Sequence, residues 1–384
     1  MKKIAMVLSM NPQDGGGYQY ALMVAKCLKN LSKSCFELMA ICTNRIWVQW
    51  CRESHIRYIR SNWFTYTKKD MKRHLCCPLY SKISSMYATN IGKIIRKEKI
   101  DVLILTSQLM YTPNMDIKII TPIFDLMHRY EPGFPEVREG YEERELIFKS
   151  QIKYTDYILA DSELGKKQIY ESYFRKNKNF PHVISLPFVV SDHISKSEER
   201  YIDVPEKYVF YPAQFWKHKN HMNLIKAIRI LREDLHDIRL VLVGSEKNCY
   251  RKIKNYIIEN KLENNIKILG FVGEENIVYL YRHAVAMIMP TYFGPTNIPP
   301  LEAMALGCPV AVSNKYAMPE QVGESGLLFN PDSPEEIAEC IRKIWNDDEL
   351  RMKMKELGYE RINKWGQKEF ENKFFYILKD CLRN

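Results

Sequence analysis

Three stretches of this 384-residue chain place residue types suited to holding an anion where an apolar run gives way to a helical one. The first is Asp14-Gly15-Gly16-Gly17. Glycine lets a backbone approach a ligand closely, and the amides at a helix start favour a negative group. The plain alternative is a tight turn, since the spacing is not the Gly-x-Gly-x-x-Gly of a dinucleotide fold. The second runs from Ala213 and Gln214 through Lys217 and Lys219 to Asn220. A lysine here can hold a diphosphate as a point charge. Lys217 taken alone reads as a solvated surface charge. The third spans Phe293 to Cys308. Its helix is expected to start near Pro299 or Pro300, because proline suits a first turn whose amides are unpaired anyway. The amides of Thr296, Asn297 and Ile298 are then expected to point at an anion. Glu302 falls in the first turn, where it can accept bonds from sugar hydroxyls or merely complement the helix dipole. Gly307 ends the helix.

The elements that must position these residues follow from periodicity. Short apolar runs alternate with helical stretches at Ile4–Leu8, Glu37–Cys42, Ile56–Ile59, Val102–Thr106, Ile119–Phe124 and Tyr157–Ala160. Continuous apolar strands between helices mean parallel sheet, buried on both faces. The pattern restarts at Tyr208–Pro212, Ile238–Val243, Ile266–Leu269, Val285–Met289 and Val310–Ser313. A single helix is expected over Leu79–Lys97, and an amphipathic one over Trp365–Leu382 with Phe370, Phe374, Ile377 and Leu378 on its apolar face. The expected fold is α/β: two doubly wound, Rossmann-like domains whose parallel sheets face a cleft.

The length fits two domains, and a composition with 46% hydrophobic and 27% charged residues excludes disordered, collagenous and coiled-coil classes. The net charge of +11 is localised. Residues 1–190 carry 29 basic and 18 acidic side chains, whereas 191–384 are balanced at 28 each. Within the first half, 45–100 hold 13 basic residues against Glu53, Asp70 and Glu98. That argues for a localised anionic partner and against a protein that coats nucleic acid. No run of 18 apolar residues is present to span a membrane. Met1-Lys2-Lys3 before Ile4–Leu8 imitates an export signal, but the apolar run is short and no small-residue cleavage site follows. The ten cysteines show no metal-ligand spacing and are expected as reduced thiols in a cytoplasmic protein.

Together these segments resemble family 4 of the retaining glycosyltransferases, which have the GT-B fold. The family's donor signature is Glu-x7-Glu. Here the segment reads Tyr292-Phe293-Gly294-Pro-Thr-Asn-Ile-Pro-Pro-Leu301-Glu302-Ala303, so Glu302 matches the second glutamate, which holds the nucleotide ribose, and Gly294 stands where the first would be. The resemblance implies donor contacts from Gly294, Thr296, Asn297, Ile298, Leu301 and Glu302, with backbone amides replacing the missing carboxylate. The family's Arg-x4-Lys diphosphate pair maps onto Gln214 and Lys219, which gives Lys219 its functional reading. Gly15, Gly16 and Gly17 match the loop beside the donor phosphates. Gly270-Phe271-Val272 matches a segment whose backbone lies by the base, Val272 included. Phe124-Asp125-Leu126-Met127-His128 resembles the segment with active-site polar residues, so His128 and Asp125 join Lys219 and Glu302 as catalytic candidates. The ordinary alternative for His128 is a loop histidine paired with Asp125. Asp161-Ser162-Glu163 is read as a helix cap.

The polar, charged stretch 191–204 reads as a linker between domains over 1–190 and 205–364; the resemblance implies that the first binds the acceptor, the second the nucleotide sugar, and that a helix over 365–384 crosses back to the first domain. It implies transfer of a sugar from a nucleotide sugar, of GDP-mannose type by subgroup analogy, to a saccharide or lipid-diphosphate-linked acceptor. Anomeric configuration is retained and neither metal nor other cofactor is needed. Cleft closure would exclude water. Basic and aromatic residues interleave over 45–73, and Arg57, Arg60, Trp63, Lys68 and Lys69 are assigned to the acceptor and to an anionic membrane surface on its cytoplasmic side. The alternative is a solvated face with core tryptophans. No nucleic-acid fold signature accompanies the basic residues. Two rival readings share the fold: a sugar-nucleotide 2-epimerase, for which no added acid–base set is evident, and a catalytically impaired partner subunit.

Overall fold

A computed structural model describes residues 1–61, 68–174, 180–190, 194, 197–294 and 297–383, with the side chains of 33–35, 68 and 87–88 also outside the description. Trp63 and Thr296, and the side chain of Lys68, therefore lie outside the described residues. The chain divides into two compact units. Unit 1 comprises Met1–Tyr130, Val137–Phe188 and Glu369–Asn384; unit 2 comprises Glu131–Glu136 and Val189–Lys368.

Unit 1 is built on seven strands: β1 Lys3–Leu8, β2 Glu37–Cys42, β3 Arg57–Arg60, β4 Val102–Leu105, β5 Lys118–Pro122, β6 Tyr157–Ala160 and β7 His182–Ser185. They are ordered β3-β2-β1-β4-β5-β6-β7, and every pairing is parallel. The central strands are buried almost throughout, as continuous Val, Ile and Leu runs require when helices cover both faces. Unit 2 repeats the plan with β8 Val209–Pro212, β9 Leu240–Val243, β10 Ile266–Ile268, β11 Ala286–Met289, β12 Val310–Ser313 and β13 Gly326–Phe329, ordered β10-β9-β8-β11-β12-β13. Both are doubly wound Rossmann-like sheets. In each, strand order reverses beside the first strand, between β1 and β4 and between β8 and β11. Ligands of open α/β sheets bind outside the strand carboxyl ends at such points.

The last helix, Gln367–Arg383, packs in unit 1 and buries Phe370, Phe374, Ile377, Leu378 and Cys381. Their spacing keeps them on one face. Tyr157 hydroxyl donates to Asp380 Oδ2 (2.6 Å), and Asn30 Nδ2 donates to Glu371 Oε1 (2.8 Å).

The single helix expected over Leu79–Lys97 is instead three pieces: Pro78–Ile83, a π-helical turn Ser84–Ala88, and Asn90–Glu98. Thr89 causes the break. Its hydroxyl donates to Ser85 O (2.8 Å) and accepts from Gly92 N–H (2.9 Å), capping the new helix. Gly92 permits the close approach, since a Cβ there would lie 1.8 Å from Ser85 O. Ile91 and Ile95 consequently enter the core, while Leu79 and Ile83 stay 71% and 53% exposed.

Candidate functional site

In unit 2 the chain leaves β8 through Ala213–Trp216 and a 3-10 turn, Lys217–Lys219, before the helix His221–Leu231. Asn220 adopts the left-handed region (φ 56°) that its short polar side chain tolerates. That side chain donates to Pro290 O (3.0 Å) and Pro331 O (2.7 Å), tying the turn to the loops after β11 and β13. His218 is anchored from below by Glu136, whose Oε1 lies 2.8 Å from His218 N and 2.6 Å from its Nδ1. The imidazole stacks on Phe293 at 4.3 Å and 12°. Burial alone would raise the pKa of Glu136. The bonds from His218 and from Asn248 outweigh it and hold the carboxylate down at about 2. Glu136 and His218 are 82 positions apart, so only the fold reveals the pair.

This scaffold presents Lys219, half-buried, whose Nζ donates to Asn297 Oδ1 (3.2 Å). Lys217 is exposed and lies 5.7 Å from the Phe134 ring, as a solvated charge would. Gln214 Oε1 accepts from Trp216 Nε1 (2.9 Å), so the residue opposite Lys219 in the expected pair is partly spent on its own turn. Gly244, after β9, is a further requirement that the sequence reading did not single out. Its φ is 153°, and a Cβ there would lie 2.1 Å from Ala213 O. Only glycine lets the two loops meet. Gly244 N–H donates to Gly270 O (2.8 Å), which brings the Gly270-Phe271-Val272 turn alongside; Val272 is half-buried and Phe271 is 88% exposed.

The loop after β11 leads to the helix Ile298–Ala305, one residue earlier than expected, with prolines in its first turn. Asn297 is its N-cap position, but the amide expected to face an anion is already used. Asn297 N–H donates to Gln321 Oε1 (3.0 Å), and Gln321 Nε2 donates back to Asn297 O (2.5 Å). Pairing with Gln321 satisfies both backbone groups of a residue that is only 8% exposed. The side chain of Asn297 fills the space beside Gly294, where a Cβ would come within 2.4–2.8 Å of its terminal atoms. Ile298 is half-buried and Leu301 is buried. Glu302 accepts a hydrogen bond from Tyr281 hydroxyl (3.0 Å). Burial, opposed by that bond and aided by Glu274, pushes its carboxyl up to about 7.

In unit 1, Gly15 has φ 60° and precedes the helix Gly16–Cys35, so a glycine is needed there. A Cβ on Gly17 would meet Met10 Cε at 2.5 Å. The loop before it is held by Asn44, whose Nδ2 donates to Ser9 O, Met10 O and Asn11 Oδ1, and by Trp47 Nε1, which donates to Met10 O (2.7 Å). Trp47 is fully buried and Trp50 packs against it edge-on, so both serve the core side of the basic segment.

Asp125 and His128 share no hydrogen bond, although the charge of Asp125 acts on the His128 ring. Asp125 accepts from Met127 N–H (3.0 Å) and Gln108 Nε2 (3.3 Å). His128 is 0% exposed and its Nε2 lies 2.8 Å from Glu145 Oε1. The same carboxylate takes two bonds from Arg129 (2.5 Å each) and one from Tyr173 hydroxyl (3.0 Å). Burial would raise the Glu145 pKa, but these donors hold it at about 2. Burial also lowers the pKa of His128, against the pull of Glu145. In this structure the His128 ring presents no atom to a substrate. The sequence reading missed its partner, seventeen residues on, because Glu145 lies on a different helix, Tyr141–Tyr154. Ser162 caps its helix as expected, accepting from Gly165 N–H (3.0 Å).

The basic segment is less free than its charge suggests. Arg57 is paired with Glu98 (2.6 Å) and Glu37 (3.5 Å). Arg60 and Lys69 are exposed. Among the described residues no helix is long and apolar enough to cross a membrane, and no group of three His, Cys, Asp or Glu side chains is placed to hold a metal ion. Every cysteine whose side chain is described is a free thiol.

Comparison with known proteins agrees with this picture. Residues 193–361 match the family model for glycosyl transferases group 1. The chain is 26% identical over 258 residues to O-antigen chain mannosyltransferase B of Escherichia coli, covering 63% of this chain and 65% of that protein. It is 25% identical over 198 residues to O-antigen chain mannosyltransferase RfbU of Salmonella typhimurium, covering 52% and 53%. The matches thus span between half and two thirds of these relatives. Among solved structures, WaaG, a glycosyltransferase involved in lipopolysaccharide biosynthesis, superposes with a TM-score of 0.69 at 16% identity, covering 96% of this chain and 98% of that one. Two Rossmann-like units, with the last helix packed in the first, give this chain the GT-B fold, and the residues that match the group 1 model, 193–361, lie in its second unit.

Proposed function

We propose that the protein is a retaining glycosyltransferase of family 4, moving a mannose-type sugar from a GDP-linked donor to a saccharide or lipid-linked saccharide in surface-polysaccharide assembly. The observation that carries this reading is that Lys219 follows β8 and Glu302 lies on the helix after β11, the two strands between which strand order reverses. Lys219 supplies the cation for the donor diphosphate, and Glu302, once ionised, accepts the ribose hydroxyls. Asn297 stands in for the first motif carboxylate: its carboxamide occupies the space beside Gly294 and is oriented by Lys219. The names of the relatives, O-antigen mannosyltransferases, support the choice of sugar.

In the proposed step the acceptor oxygen bonds the anomeric carbon on the face from which the diphosphate leaves. The acceptor proton passes to an oxygen of the departing phosphate, so no protein base is required. Negative charge grows on the diphosphate, where Lys219 stabilises it. His128 acts at a distance, by holding the Glu145 carboxylate that also binds Arg129 and Tyr173. Neither metal nor organic cofactor takes part.

The test is turnover of GDP-mannose with a membrane-extracted acceptor. An α-linked mannoside formed equally well in EDTA supports the reading. Acceptor-independent epimerisation of the donor, or strict dependence on an added divalent ion, contradicts it.

A further inference from the structure

The turn Lys217–Lys219 is held through its backbone, and one of the groups holding it comes from a distant part of the sequence. Lys217 N–H donates to Asn248 Oδ1 (2.8 Å). His218 O accepts from Tyr292 N–H (2.8 Å) and from Thr291 hydroxyl (3.2 Å), and Lys219 O accepts from Tyr211 hydroxyl (2.9 Å). His218 N–H goes to Glu136. Glu136 ends a six-residue segment, Glu131–Glu136, that packs in unit 2 although the chain on both sides of it belongs to unit 1. The segment is docked along its length. Glu131 Oε1 accepts from Tyr316 hydroxyl (2.5 Å), the Phe134 ring lies 5.3 Å from Tyr292 and 5.2 Å from Phe293, and Glu136 Oε2 accepts from Asn248 Nδ2 (3.0 Å). These partners sit in the loops after β12, β11 and β9. The side chains of Glu136 and His218 are only 7% and 13% exposed.

An ionised carboxylate only accepts, so the His218 ring carries a proton on Nδ1, and two bonds from His218 converge on Glu136 Oε1. Main chain and ring are thus fixed at one oxygen, with the ring stacked on Phe293. The next residue is Lys219. A lysine is a point charge on a flexible four-carbon stem, so the place of its backbone decides where the charge falls. Gln214 brings no charge to this turn, and its Oε1 is bonded to Trp216. A buried ion pair is a weak source of stability, because desolvation offsets the attraction; what this one supplies is direction. We infer that Glu136 is a positioning residue of the donor site, acting through His218 to hold Lys219 between the Asn297 carboxamide and the donor diphosphate. The inference rests on the reading of Lys219 as the cation for that diphosphate. Glu136 needs no contact with substrate for this role. Its charge by itself opposes an anion nearby, so it favours binding only through the geometry of the turn.

The experiment is isothermal titration of the full-length protein with GDP. Wild type is compared with Glu136→Ala, Glu136→Gln, Lys219→Ala and the double variant Glu136→Ala/Lys219→Ala, each checked by thermal melting. Glu136→Ala should lose about tenfold or more in GDP affinity, as a displaced cation implies. Glu136→Gln, whose carbonyl still accepts both bonds from His218, should stay within about threefold of wild type. The double variant should bind no more weakly than Lys219→Ala, because a residue that acts through Lys219 has nothing left to act on. His218→Ala breaks the link while leaving Glu136 in place; it should show the same loss and the same non-additivity, and it decides the case if Glu136→Ala does not fold. Unchanged or tighter GDP binding by Glu136→Ala, the effect of removing a negative charge alone, would overturn the inference. So would losses that add in full in the double variant, which is what general loosening of the fold gives. Undiminished binding by Lys219→Ala, or none by wild type, removes the donor reading and the inference with it; a weakened Lys219→Ala beside an unaffected Glu136→Ala removes the inference alone.

Discussion

Replacing Glu302 by glutamine removes a carboxyl whose pKa of about 7 in the folded protein lies well above the ordinary 4.5. Burial is the chief cause; Tyr281 opposes it and Glu274 adds to it. Because the folded state holds this proton more tightly than the unfolded one, the associated stability is fully present below about pH 4.5 and is lost as pH rises through about 7. At 1.36 kcal/mol per pH unit, the gap between those values corresponds to about 3 kcal/mol. Glutamine carries no charge at any pH, and its carbonyl still accepts the Tyr281 hydroxyl. In urea unfolding without ligand, Glu302→Gln should therefore gain about 3 kcal/mol on wild type between pH 4.5 and pH 8. A stability difference that stays flat across that range would refute the desolvated carboxyl. The same titration reaches function. Roughly a tenth of Glu302 is ionised at pH 6 and roughly nine tenths at pH 8. Nucleotide affinity should rise about tenfold over that interval in wild type, and Glu302→Gln should abolish the rise.

Other outcomes follow from the same geometry. Glu136 has the opposite sign: with its pKa lowered to about 2, its contribution is present above pH 4.5 and lost as pH falls toward 2, so Glu136→Gln should flatten the acid limb of the stability profile in urea unfolding. Gly244→Ala sets a Cβ 2.1 Å from Ala213 O and should cost about 2–4 kcal/mol, read as a lower urea midpoint together with weaker GDP binding. Trp47→Phe removes the bond to Met10 O and should cost about 1–2 kcal/mol, with faster amide exchange at Gly15–Gly17 than in wild type.

Much of the fold was legible because buried parallel strands write themselves as unbroken apolar runs. Ile4–Leu8, Glu37–Cys42 and Val310–Ser313 fall where periodicity placed them. The two strands left unassigned, β7 and β13, are terminal in their sheets and begin His182-Val-Ile-Ser and Gly326-Leu-Leu-Phe, too short and too mixed to stand out. The broken helix at Thr89 turned on a hydroxyl competing for a backbone carbonyl, which apolar spacing does not report. At the candidate site, strand-to-helix junctions gave Lys219, Glu302 and the glycines. What they could not give was how each polar group is spent. Asn297 N–H goes to Gln321, His128 goes to Glu145, and His218 goes to Glu136, each partner brought from a separate element. Long-range polar pairing leaves no periodic trace in a single chain.

The central claim is that unit 2 holds a nucleotide sugar through Lys219 and Glu302. Isothermal titration of GDP-mannose at pH 8 tests it most directly. Wild type should bind, and Lys219→Ala and Glu302→Ala should each weaken binding at least tenfold while melting as folded proteins. Undiminished affinity in both variants, or no binding of GDP-mannose by wild type, would contradict the account.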